Sequence, residues 1–188
     1  MRVCIADIDE ADLKTAAEAV SAAAKGGADD VLSMRVDVSS LEDVQAFHSA
    51  VYDRFGECAF LLNNAGTGVG SASSFRDMEG WRTNLDTNLF GALHVMQTFV
   101  QPMLDQENVC TIVNTGSKQG ITCPPGNLAY NVGKAGIKVM TEGLQHELRS
   151  SEHAGRVSAH LFVPGWVNTM CVAATAHPAR PTRVASVR

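Results

Sequence analysis

Thr111-Ile112-Val113-Asn114-Thr115-Gly116-Ser117, followed by Tyr130-Asn131-Val132-Gly133-Lys134, is the stretch on which the reading of this chain turns. The first five residues are mostly β-branched and read as a strand, with Ser117 delivered by the loop after its tip. Tyr130 and Lys134 are spaced i,i+4, which on a helix stacks both side chains on one face, a turn apart. A lysine ammonium beside a phenol favours the phenolate. Each unit by which a tyrosine pKa falls from about 10 is ~1.4 kcal/mol of differential stabilisation. A phenol tuned towards neutrality suits general acid–base work. With two tyrosines and five lysines in 188 residues, such a pair arises by chance in roughly one chain in twenty. Alone it describes a tyrosine resting on a lysine stem at a helix surface. Its neighbours have to decide.

Working outward, the strands fall at regular intervals. Val3-Cys4-Ile5-Ala6 is a continuous apolar run that ends at Asp7, the mark of a strand buried on both faces. Asp9, with Asp12 behind it, caps a helix whose apolar positions are Leu13, Ala16, Ala17 and Val20 and which Gly26-Gly27 stops. A second strand, Leu32 to Val36, ends at Asp37. Ser40 and Asp43 then resemble a capping box for a helix buried along Val44, Phe47, Val51 and Phe55 and closed by Gly56. A third strand, Cys58 to Leu62, closes on Asn63-Asn64-Ala65-Gly66. A Gly/Ser-rich loop from Thr67 to Ser74 leads to a long helix starting near Trp81, with Leu85, Leu89, Leu93 and Met96 apolar and Asn88 beside them. After the fourth strand comes the Tyr130–Lys134 helix, running to about Arg149 with Val132, Val139 and Leu144 expected inward. A fifth strand, Val157 to Val163, ends in Pro164-Gly165. The βαβαβαβαβ alternation implies parallel strands with right-handed crossovers, hence a doubly wound α/β sheet. In such sheets ligands lie beyond the carboxyl ends of the strands. Asp7, Asp37, Asn63, Ser117 and Asn168 all sit at or just past such an end.

Composition narrows the function. Hydrophobic content of 45% and charge of 19% are ordinary globular values. A net charge of −5 supplies no general basic face for nucleic acid and no polybasic membrane anchor. No uncharged run approaches the ~20 apolar residues of a membrane span, and Met-Arg-Val-Cys-Ile-Ala-Asp lacks the apolar core of a signal peptide. Five scattered cysteines without a C-x-x-C read as reduced thiols of a cytoplasmic protein. His146-Glu147 begins a zinc motif that Ser150 fails to complete, so no metal site is expected.

Taken together, Asp7 after a strand, Asp37-Val38, Asn63-Asn64-Ala65-Gly66, Asn88 in Thr-Asn-Leu-Phe-Gly, Ser117, Tyr130-x-x-x-Lys134 and Pro164-Gly165-Trp166-Val167-Asn168-Thr169 resemble the short-chain dehydrogenase/reductase family. The resemblance runs from about Arg2 to Thr169, with Ser117 thirteen residues before Tyr130, as in the family. It implies a Rossmann-like fold and hydride transfer between a nicotinamide cofactor and a secondary alcohol or ketone. Tyr130 would exchange the substrate proton, Lys134 would lower its pKa and hold the nicotinamide ribose, and Ser117 would orient the substrate oxygen. Asn88 would hold a water in a proton relay. Asp7 would accept from the adenosine ribose and repel a 2′-phosphate, which favours NAD over NADP. Asp37 would meet the adenine; Asn64, Ala65 and Gly66 would line the cofactor; Pro164, Gly165, Val167 and Thr169 would lie at its nicotinamide end. The expected partner is a small-molecule alcohol or carbonyl compound, with a homo-oligomer left open.

The chain departs from the family at both ends. The family opens with a strand and a glycine-rich turn that seats the pyrophosphate on a helix N-terminus; this chain opens at what resembles the second strand. The absent strand would be central, so its neighbours must either close up or keep unpaired edges. The expected organisation is an incomplete dehydrogenase domain over 1–169 and a loose tail over 170–188, which has no acidic residue, Pro178, Pro181 and three arginines. A truncated, inactive remnant that binds no cofactor is the alternative reading. A phosphoacceptor receiver domain, suggested by Val-Cys-Ile-Ala-Asp-Ile-Asp, needs an aspartate where Asn63 stands.

Overall fold

The structure is a computed structural model that describes residues 1–68 and 72–165. Five parallel strands alternate with helices, as the doubly wound reading requires. Strand β1 (Val3–Asp7) leads to α1 (Glu10–Ala23), a 3-10 turn (Gly27–Asp30) and β2 (Val31–Arg35). Helix α2 (Leu41–Phe55) leads to β3 (Phe60–Asn63); α3 (Met78–Leu85), a π-helical segment (Asp86–Gly91) and α4 (Ala92–Asp105) lead to β4 (Cys110–Thr115). The short helix α5 (Gln119–Thr122) and the long α6 (Leu128–Arg149) precede β5 (Val157–Phe162).

Local chemistry sets the helix ends. The Asp9 carboxylate accepts from the Ala11 and Asp12 amides at the start of α1, satisfying donors that have no partner within the helix. Ser40 Oγ accepts from Asp43 N at 3.1 Å at the start of α2, and Gly56, at φ 76°, turns the chain away at its end. Helix α1 stops at Ala23, three residues short of the glycines expected to end it. The helix expected near Trp81 begins earlier, where the Asp77 side chain accepts from Gly80 N.

Strands β1 and β2 pair from Val3 with Val31 to Asp7 with Arg35. Strand β4 lies between β3 and β5, with Asn63 opposite Asn114 and Thr115 opposite Phe162. Among the described residues no ladder joins β1 to β3, so the sheet is in two pieces, of two and three strands. Of the two expected arrangements of these strands, closed up or unpaired, this is the unpaired one. One core nevertheless spans both pieces: Val36 and Val44 pack in a cluster with Leu61, Phe99, Met103, Ile112 and Val157. Each such large apolar side chain, fully buried, is worth roughly 1.5–3 kcal/mol.

Helix α6 corrects two of the three residues expected inward. Val132 and Val139 are 42% and 66% exposed, whereas Leu144 is half-buried and packs against the core as expected. The buried face carries Ala129, Asn131, Gly133, Lys134, Ile137, Thr141 and Leu148. Four of these seven residues are polar or glycine, so hydrophobic periodicity alone misplaces much of the inward face. Among the described residues no helix is long and apolar enough to cross a membrane, and no group of three or more His, Cys, Asp or Glu could hold a metal.

Candidate active site

Because β3, β4 and β5 are parallel and nearly level, their carboxyl ends open together, at Asn64-Ala65-Gly66, Gly116-Ser117 and Pro164-Gly165. Helix α6 passes behind these tips and brings its own first two turns to them. Lys134 is only 5% exposed, and its Nζ donates to the Thr115 carbonyl at 2.9 Å, two residues before Ser117. The same ammonium lies 5.8 Å from the centre of the Tyr130 ring. The i,i+4 pairing therefore holds on the helix, with the amine turned to the tip of β4.

Gly66 shows how tightly the groups close in. A Cβ at this position would stand 3.0 Å from Asn88 Oδ1 and 3.4 Å from Lys134 Nζ. Any larger residue would fill the space between the amide and the amine. Asn88 is fully buried inside the π-helical segment; such wide turns often mark functional sites. Its side chain is committed to backbone, with Nδ2 donating to Thr67 O at 2.8 Å and Oδ1 accepting from Thr67 N at 3.0 Å. It clamps the segment that follows Gly66.

Ser117 is half-buried, and its Oγ accepts from Gln119 N at 3.2 Å, at the start of α5. Asn64 Oδ1 accepts from Thr115 Oγ1 at 3.0 Å, tying the ends of β3 and β4. At the other sheet piece, Asp7 is exposed and one of its oxygens accepts from Asp9 N at 2.9 Å. Asp37 Oδ1 accepts from both Ser39 N and Ser39 Oγ, at 2.9 and 2.6 Å, and its own amide donates to Asp43 Oδ2. Ala65 and Gly165 are exposed and Pro164 is half-buried. Val167 and Thr169, and the expected tail, lie outside the described residues.

Behind the site, Asn63, at its expected strand end, joins two buried residues whose roles were missed in the sequence, Asn114 and Thr141. Asn63 Nδ2 donates to Ala92 O and to Asn114 Oδ1; Asn114 Nδ2 donates to Thr141 Oγ1 at 3.0 Å; Thr141 Oγ1 donates to Ile137 O. This chain of bonds ties β3, β4, α4 and α6 together just below the tips. An asparagine two residues from Ile112 on the inward side of a strand was the available signal, since a buried amide must find partners. Helix α5, a single turn, left no periodicity to detect.

Most of the chain matches a known family. Residues 1–179 match the family model described as short chain dehydrogenase, so the chain belongs to that family of oxidoreductases. The fold is the family's Rossmann-like fold. A short-chain dehydrogenase/reductase from Burkholderia phymatum, solved in complex with NAD, superposes with a TM-score of 0.81 at 34% identity, covering 97% of this chain and 66% of that one. Actinorhodin polyketide ketoreductase with NADPH gives a TM-score of 0.81 at 28% identity, over 93% of this chain and 64% of that one. The 2,3-dihydroxy-2,3-dihydro-p-cumate dehydrogenase of Pseudomonas putida is 31% identical over 168 residues, 89% of this chain and 62% of its own. The chain thus spans less than two thirds of the length of these relatives.

Proposed function

We propose that the chain carries the reaction centre of an oxidoreductase that moves a hydride between NAD(H) and a secondary alcohol or ketone. The observation that carries this reading is the seat of Lys134: its ammonium sits on Thr115 O, faces Gly66 and lies under Tyr130, at the level ends of parallel strands. The residues present fit a nicotinamide cofactor, because the gap that a Cβ at Gly66 would fill leaves backbone open to a flat ring and its ribose. When bound, that cofactor supplies or accepts the hydride.

The chain's own residues do the rest. Tyr130 passes a proton between its phenolic oxygen and the substrate oxygen, and the nearby Lys134 charge stabilises the phenolate left behind. Ser117 donates a hydrogen bond to the same oxygen and steadies the charge that develops there. Lys134 would hold the nicotinamide ribose, and Asn88, by fixing Thr67, keeps the wall behind Lys134 in place for a water that relays protons. Asp7 has one oxygen committed to Asp9 N and offers the other to ribose hydroxyls. Its charge opposes a 2′-phosphate, so NAD is preferred to NADP. Asp37 borders the adenine, while Asn64, Ala65, Gly66, Pro164 and Gly165 line the cofactor's length, with Val167 and Thr169 next along the chain. The four described cysteines are free thiols, which suits a cytoplasmic protein acting on a small soluble molecule.

Tyr130→Phe tests this. Turnover with NADH and a ketone falls by about 10²–10⁴-fold, the usual worth of a general acid–base, while NADH binding by fluorescence changes little. Undiminished turnover in the variant removes Tyr130 from its role, and a parent chain that binds no NADH removes the reading itself. A second measurement needs no substrate. The other tyrosine, Tyr52, is pushed well above the ordinary value of 10, first by burial and then by Cys58, Cys110, Asp105 and Glu57. Ultraviolet titration between pH 7 and 11 therefore reports Tyr130 alone, and Lys134→Met raises its midpoint.

A further inference from the structure

Helix α5 and the loop after it form a small body that carries Ser117. Ser117 Oγ accepts from Gln119 N, and Gly120 N donates to Ser117 O at 3.1 Å, so Ser117 and α5 move together. That body comes closest to α6 at Gly120. A Cβ on Gly120 would lie 2.6 Å from the Lys134 carbonyl carbon, 2.7 Å from Ala135 N and 2.8 Å from Lys134 O. All three are backbone atoms of a packed helix and have no rotamer in which to give way.

Glycine at position 120 is not there for its backbone freedom. The residue is helical and buried, without the positive φ of Gly126 or Gly155, and a helix would favour alanine. What requires glycine is the closeness of α5 to Lys134. At its far end the same body is held by Asn131, the residue after Tyr130. Asn131 is 2% exposed, and its Nδ2 donates to Pro124 O at 2.7 Å. Its Oδ1 is buried with no partner among the described residues, a cost that an apolar residue of similar size would not carry. The bond to Pro124 is what this amide contributes in return.

We propose that Gly120 and Asn131 are positioning residues that set the spacing between Ser117 and the Tyr130–Lys134 pair. The inference rests on the reaction assigned above, and it concerns residues that touch neither substrate nor cofactor. A shift of about 1 Å between reacting groups can cost on the order of a hundredfold in rate. A Cβ forced against the Lys134 backbone requires a displacement approaching that size.

The test compares Gly120→Ala with Gly143→Ala in the full chain. A Cβ on Gly143, also on a helix, meets nothing within 4 Å. Gly120→Ala lowers kcat by about a hundredfold, with KM for NADH within about threefold, and moves the Tyr130 ultraviolet midpoint by at least ~0.3 unit as Ser117 shifts away. Gly143→Ala changes neither. A role in stability alone would lower the melting temperature of Gly120→Ala and leave its midpoint and its kcat per folded molecule at the parent values; that result overturns the proposal. Should Gly120→Ala fail to fold, Asn131→Leu is read by the same two measurements with the same expectations. If the parent chain turns nothing over, the assigned reaction fails, and the midpoint comparison still decides the positioning role.

Discussion

The two faces of the three-stranded sheet differ sharply. On one, Leu61, Ile112, Val157 and Ala159 are at most 9% exposed, covered by the core that includes Phe99 and Met103. On the other, Phe60, Leu62 and Phe162 are 60%, 52% and 53% exposed. Yet Phe60-Leu61-Leu62 is continuous apolar sequence, the pattern of a strand buried on both sides. The strand is written for two covers, and the described residues provide one. Stability therefore comes from one side of the sheet, while the other side is an apolar patch that favours association.

The largest contrast lies between inward and outward side chains of neighbouring strands. Ile112→Ala removes a fully buried side chain from the covered face and costs about 2–5 kcal/mol in urea unfolding. Leu62→Ala, from the bare face, changes stability by less than ~1 kcal/mol, because little of its surface leaves water on folding. A double variant, Phe60→Ser with Leu62→Thr, keeps the unfolding midpoint near the parent's and raises solubility. Comparable losses at Ile112 and Leu62 would mean that the second face is covered in solution.

The covered face also shows which parts of the fold the sequence makes legible. Strands and their parallel order could be read because Val3–Ala6, Leu32–Val36 and Thr111–Thr115 are compact apolar or β-branched runs between helices with clear caps at Asp9 and Ser40. The candidate site could be outlined because its residues sit at strand ends in fixed order, and the structure brings three of them, Lys134, Gly66 and Asn88, together. Beyond Leu144, the inward face of α6 could not be read, since a helix that presents Asn131, Gly133, Lys134 and Thr141 to the protein has given part of its apolar stripe to polar work. The π-helical turn at Asp86–Gly91 is equally silent: Asp86, Thr87, Asn88 and Gly91 are weak helix formers, but no residue type marks a π turn, which only tertiary contacts widen.

Asn114 sharpens the comparison from within the covered side. It stands two residues from Ile112 on the same buried row and is equally inaccessible, but its contribution is hydrogen bonds: it accepts from Asn63 and donates to Thr141 and, more weakly, to Met96 Sδ. In Asn114→Leu, Asn63 keeps its bond to Ala92 O and Thr141 keeps its bond to Ile137 O. Only the weakly accepting Met96 sulfur gives up its bond, so the expected cost is only about 1 kcal/mol, the net worth of ordinary hydrogen bonds. A loss as large as that of Ile112→Ala would show that the chain of bonds acts as a unit rather than as separable pairs.

The smallest expected effect is one of pH, and it too belongs to the covered side. The His48 ring lies tilted 4.5 Å from Tyr52 and meets Phe99 edge-on at 5.0 Å, with Nε2 buried and without a partner among the described residues. Burial lowers its pKa below the ordinary 6.5, because the charged ring would lose its water. In the unfolded chain the same histidine takes its proton first as the solution is acidified. Its contribution to stability is therefore complete above pH 6.5 and is lost as the pH falls through that value towards the folded pKa. His48→Phe keeps the ring contacts and removes the titration. Unfolding midpoints measured at pH 7.5 and 5.5 should fall less for this variant than for the parent, since every carboxylate contributes equally to both. Parallel falls would mean that water reaches Nε2 in the folded protein and that this part of the covered side is less closed than its packing implies.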